Sequence, residues 1–162
     1  MRVGLELCVD SLASAIAAHS GGASRIELCD NLYEGGTTPS IGLLRLIRRR
    51  LPGLAVHVMI RPRGGDFLYT DEEKAVMRAD IASIKADGGH GVVLGVLTRA
   101  GSVDEPLLCE LVELSAPLEV TFHRAIDVAV DPIAATRACV RCGVSRAESA
   151  VSKDCLPKPE PH

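Results

Sequence analysis

The ionisable side chains Glu6, Glu27, His57, Arg61, Glu119 and His123 share one strand parity in this sequence. Each lies in, or at the end of, a short β-rich run whose alternate positions are aliphatic: Leu5, Leu7 and Val9; Ile26 and Leu28; Val56, Val58 and Ile60; Leu118, Val120 and Phe122. Successive strand residues face opposite sides, so the aliphatic set packs beneath helices and the ionisable set shares the other face. Carboxyls and imidazoles on one face can do general acid–base work, and arginines can hold an anion. Buried, such groups must also pair with one another. An ion-pair network and an active or binding site are therefore the two readings of this face. Its concentration near strand ends points to a site.

The thiols allow a different chemistry. Leu5-Glu6-Leu7-Cys8 and Ile26-Glu27-Leu28-Cys29 are near copies. If the strands pair in parallel with these segments aligned, Cys8 stands beside Cys29, backbones about 5 Å apart. Met59 falls on the same face one strand over. Cys and Met together select Cu(I) over harder metals. Small buried cysteines more commonly just fill space, and both readings stay open. Cys139-Val140-Arg141-Cys142 lies at a helix end with no second pair or His at zinc spacing, and reads as coincidence. A redox pair would usually open a helix, where the dipole lowers the thiol pKa.

Two loops carry further candidates. Arg61-Pro62-Arg63-Gly64-Gly65-Asp66 offers guanidiniums, and Glu34-Gly35-Gly36-Thr37-Thr38 leads into a helix N-terminus. Arg61, Arg63 and Asp66 are the candidate substrate-binding residues, with Glu27, Arg61 and His123 the candidate catalytic set. Neither loop is a nucleotide fingerprint, and turn formation with an Arg–Asp pair explains much of both.

The elements that must position these residues alternate along the chain. Strands are expected at residues 3–9, 25–29, 55–60, 91–97 and 118–122, with helices between them. Asp10 or Ser11, Pro39-Ser40 and Thr70 open the first three helices, and the last two cover about 104–114 and 132–142. This order predicts a parallel α/β sheet of the (β/α)8 barrel kind. A closed barrel needs eight units and about 250 residues. The 162 residues here supply about five units. No sixth strand is expected after Gly143, and residues 144–162, with Pro157, Pro159 and Pro161, read as a disordered tail. Residues 1–143 form the expected domain.

Composition narrows the function classes. The net charge of −3 and 2% aromatic content give no footprint for nucleic acid. No apolar run reaches membrane length, and the N-terminus lacks a secretory pattern. The 6 cysteines are spread through apolar runs, which favours intracellular thiols over disulfides.

The quoted segments resemble the CutC copper homeostasis family, together with Gly22-Ala23-Ser24-Arg25, Thr37-Thr38-Pro39-Ser40, Val58-Met59-Ile60-Arg61-Pro62-Arg63-Gly64-Gly65-Asp66-Phe67 and Val120-Thr121-Phe122-His123-Arg124-Ala125. The resemblance runs from about Leu5 to Gly143. It implies a TIM-type barrel, a cytoplasmic location (also nuclear in animals), a homo-oligomer, and Cu(I) bound through Cys8 and Cys29. The family continues past Gly143 with further units, so a truncated isoform is expected. Three hypotheses follow: a Cu(I)-binding protein using Cys8 and Cys29, a barrel enzyme acting on a small anionic substrate, and an inactive truncated form.

Overall fold

A computed structural model describes residues 4–149 of the chain. The strands β1 (Glu6–Val9), β2 (Arg25–Leu28), β3 (Ala55–Met59), β4 (Gly91–Leu94), β5 (Glu119–Phe122) and β6 (Arg146–Ala147) lie side by side in that order. All neighbouring pairs are parallel. The helices α1 (Leu12–Ser20), α2 (Ile41–Arg50), α3 (Asp71–Ala86), α4 (Glu105–Ser115) and α5 (Pro132–Arg141) connect successive strands. The result is a six-stranded part of a TIM-type barrel.

Each helix starts where a side-chain oxygen meets its free N–H groups. Ser11 accepts from Ser14 N, Ser40 from Leu43 N, Asp104 from Leu107 N, and Asp131 from Ile133 N and Ala134 N. Thr70 and Glu73 form a reciprocal capping box, which fixes the start of α3 after the Arg61 loop. Such caps contribute about 1 kcal/mol each. The outer faces of β2 to β5 bury Ile26, Leu28, Val56, Val58, Val92, Leu94, Val120 and Phe122 against Leu44, Ile47, Met77, Ile81 and Leu108 of the helices. Each such side chain stabilises the fold by roughly 1.5–3 kcal/mol.

The structure corrects several expectations. A sixth strand does follow Gly143: Thr121 pairs with Arg146 and Phe122 with Ala147. Ser145 N donates to Val120 O at 2.8 Å and Glu148 N to Phe122 O at 2.9 Å. The strand is short and lacks β-branched residues, so its composition hid it. Residues 144–149 therefore do not belong to a tail, and the expectation for residues 150–162 lies outside the described residues. Leu7 is not covered by helices but 36% exposed, and Leu5 is 47% exposed, because β1 forms the sheet edge. Cys109 in α4 and Cys142 after α5 form a disulfide, with Cα atoms 4.7 Å apart. The packing of α4 on α5 joins residues 33 positions apart, which spacing along the chain cannot show.

Candidate functional site

The β1–β2 register decides where the thiols go. Cys8 pairs with Glu27, not with Cys29, and Glu6 pairs with Arg25. The near-copy segments are slipped by two residues. An even slip keeps the faces and supplies part of the stagger that a barrel needs. It also sets Glu6 against Arg25 at 2.5 Å instead of against Glu27.

The inward polar face divides into two layers. The lower one is an ion-pair network. Arg25 reaches Glu6 and also Glu119 at 3.9 Å, His57 Nε2 lies 3.5 Å from Glu119, and Arg146 lies 3.8 Å from it. Burial, then Arg25, lowers the His57 pKa, which favours the neutral ring beside Glu119. Arg25 and Arg146 complete this layer and were not anticipated.

The upper layer encloses a cavity of about 260 Å³, lined by Cys8, Glu27, Cys29, Met59, Arg61, Phe67, His123, Arg124 and Glu148 among others. Glu27 is its hinge. Its Oε1 accepts from Cys29 Sγ at 3.4 Å and from Cys8 Sγ at 3.6 Å. Burial, followed by the facing Glu148 carboxylate, pushes Glu27 up to about 7. Burial raises Glu148 as well, with the nearby Glu6 carboxylate adding to it, so both carboxyls at this end of the cavity hold their protons above the ordinary carboxylate range. Desolvation and then the Glu27 carboxylate push Cys8 up to about 12 and Cys29 higher. The effect is firmer at Cys29, which is buried, than at Cys8, which is exposed on the β1 edge. Cys29, Met59 and Val93 form a small apolar cluster. The Gly36 backbone, at φ +86°, approaches both Cys29 Sγ and Met59 Cε so closely that only glycine leaves them in place.

Arg61 faces inward and is 1% exposed. Its guanidinium donates to the carbonyls of Glu34 at 2.7 Å, Gly36 at 2.9 Å and Gly65 at 2.8 Å. It thus fastens the two glycine-containing loops to the end of β3. Thr38 reinforces the join, accepting from Arg61 N at 2.9 Å and donating its own N–H to Arg61 O. Phe67 lies 5.0 Å below the guanidinium and 5.0 Å from the His123 ring. His123 Nδ1 accepts from Ala125 N at 3.2 Å, which assigns the ring proton to Nε2. Burial, then the Arg61 charge, lowers His123 to about 3, so the ring is neutral.

Arg63 and Asp66 are not brought to this cavity. Arg63 bonds Glu73 at 2.6 Å and Asp66 at 3.0 Å, and stacks on Tyr69. It braces the loop onto α3. Glu119 belongs to the lower layer. Glu148, Phe67 and Arg124 line the cavity unannounced. The alternation Arg146-Ala147-Glu148 was the available signal for Glu148, since it repeats the polar–small–polar pattern of an inward-facing strand. Among the described residues, no three His, Cys, Asp or Glu side chains converge as a metal cluster. The soft donors present are two thiols and a neighbouring thioether. No helix among the described residues is long and apolar enough to cross a membrane.

Comparison with known proteins gives concordant matches. A family model described as "CutC family" matches residues 3–153, which includes β6. The mouse "Copper homeostasis protein cutC homolog" is 52% identical over 142 residues, covering 88% of this chain and 52% of the relative. The human protein of the same description is 51% identical over the same length. The chain spans about half the length of these curated relatives. The crystal structure of the putative copper homeostasis protein CutC from Streptococcus agalactiae superposes with a TM-score of 0.85 at 35% identity, covering 90% of this chain and 71% of that one. A 2,3-dimethylmalate lyase, at TM-score 0.63 and 13% identity, shares the fold alone.

Proposed function

Since this chain belongs to the CutC family, we propose that it takes part in copper homeostasis by holding Cu(I) on the thiolates of Cys8 and Cys29. The observation that carries this reading is that both thiols point at one atom, Glu27 Oε1. Two sulfurs on a common acceptor form a low-coordinate soft pair, and Met59 adds a thioether beside Cys29. That donor set suits Cu(I) better than harder ions. Copper here is cargo. Both thiols are protonated at neutral pH, so loading must displace protons, and metal uptake strengthens with pH. The reading requires Cys8 and Cys29 reduced, and both are free thiols, separate from the Cys109–Cys142 disulfide. A cytoplasmic or nuclear location, which keeps them reduced, is proposed with it, although it also exposes that disulfide to reduction. X-ray absorption on the Cu(I)-loaded, anaerobic protein tests the ligand set. Sulfur-only coordination is expected; nitrogen or oxygen ligands in the first shell would contradict it.

A second reading, an enzyme acting on a small anionic substrate, is favoured by Glu27 and His123 lining the same cavity. In it Glu27 exchanges a proton with the substrate and His123 donates from Nε2. A screen of small carboxylates for turnover that Glu27→Gln abolishes tests this reading, and turnover that survives the change would count against it.

A further inference from the structure

Arg61 is a buried cation without a carboxylate partner among the described residues. Its guanidinium donates to three neutral backbone carbonyls, and Phe67 covers one face. Its Nε makes no hydrogen bond. The buried Tyr69 hydroxyl, within reach of the Arg61 charge, likewise makes no hydrogen bond. Buried charges are normally paired, so this one calls for an anion.

His123 presents a second unmet demand. It is 3% exposed, and its Nε2 has no partner. The Nδ1–Cε1 edge lies against Ala125 and Gly95, where even one added carbon on Gly95 would meet the ring. Nε2–H is therefore the nitrogen left for the cavity. Arg61 and His123 line that same cavity and share Phe67 as a wall.

We propose that this cavity binds a short-chain monocarboxylate, one oxygen accepting from His123 Nε2–H and the negative charge lying against Arg61. A phosphate is a poorer fit for two reasons. The glycine loop at Glu34–Gly36 turns carbonyls rather than N–H groups toward Arg61, so it is no phosphate cradle. Glu27 and Glu148 line the same space, and the negative charge they carry repels a dianion more than a monoanion. Leu32, Met59 and Phe67 supply apolar walls for a short aliphatic tail. The inference is independent of copper, because neither thiol takes part in it.

Propionate is the probe, with inorganic phosphate as the competitor, both at constant ionic strength. Nitrogen-15 histidine spectra of the whole chain report on His123 directly. A saturable shift of His123 Nε2 with propionate is expected, unchanged in the Cys8→Ser, Cys29→Ser double variant. Binding should fall at least about tenfold in His123→Phe, which keeps the ring stack but removes the donor. Absence of a saturable His123 response up to about 100 mM propionate, where even a millimolar site is filled, would overturn the proposal. So would phosphate binding more tightly than propionate, or His123→Phe binding as the parent does. If that variant does not fold, the parent titration alone decides.

Discussion

Cys8 and Cys29 do not face each other across the β1–β2 ladder; they lie out of step and meet through Glu27 Oε1, at 3.6 and 3.4 Å. The carboxyl that joins them lines the same cavity wall as Glu148, so thiols and carboxyls share one end of the cavity. Copper bound by both sulfurs would replace the link that Glu27 now makes.

The Glu27–Glu148 pair makes stability depend on pH. Folded Glu27 keeps its proton up to about 7, whereas the unfolded chain releases it near 4.5. Stability is therefore fully present below about 4.5 and falls as pH rises through 7, by an amount on the order of 3 kcal/mol. Glu27→Gln should flatten that decline. Denaturant melts at pH 5 and pH 8 check it, and an unchanged difference between the two would count against the buried proton.

His123 acts on the other limb. The folded ring stays neutral down to about 3, while the unfolded ring takes a proton near 6.5. Stability should be lost as pH falls from about 6.5 toward 3, and His123→Phe should reduce that loss. The midpoint of thermal unfolding, followed from pH 7 to pH 4, reads the effect. Equal acid sensitivity in parent and variant would remove His123 as its source.

Arg61→Lys keeps the charge but cannot hold the three carbonyls of Glu34, Gly36 and Gly65 at once. A loss of about 2–4 kcal/mol is expected in a denaturant melt. Amide exchange at residues 34–38 and 64–66 should speed up with it. A silent substitution would mean that the loops are held by other contacts.

Gly95→Ala and Gly53→Ala make a matched pair. A Cβ at Gly95 would press on His123 and on Ala125, whereas one at Gly53 meets nothing within 4 Å. The first should destabilise by about 1–3 kcal/mol and move the His123 resonances; the second should stay within about 1 kcal/mol of the parent. Similar melts for both would show that the ring does not depend on Gly95.

The alternation of aliphatic and ionisable residues was enough to place Glu27, Arg61 and His123 on one face, because strand parity survives any error in strand ends. Register was not readable. The near-identity of Leu5–Cys8 and Ile26–Cys29 suggested the wrong partner for Cys8, since barrel stagger and the Glu6–Arg25 pair set the alignment instead. Arg63 and Asp66 looked like ligand-binding groups, but the neighbouring Glu73 in the α3 capping box engages Arg63. Glu148 was hidden because a strand only as long as Arg146–Ala147 has no hydrophobic signature of its own.

Anaerobic Cu(I) titration of the reduced chain, in competition with a chromogenic Cu(I) chelator, tests the central claim most directly. The parent should withdraw Cu(I) from the chelator, and Cys139→Ser should do the same. The double variant Cys8→Ser, Cys29→Ser should withdraw none. Copper binding as tight in that double variant as in the parent would contradict the assignment of the two cavity thiols.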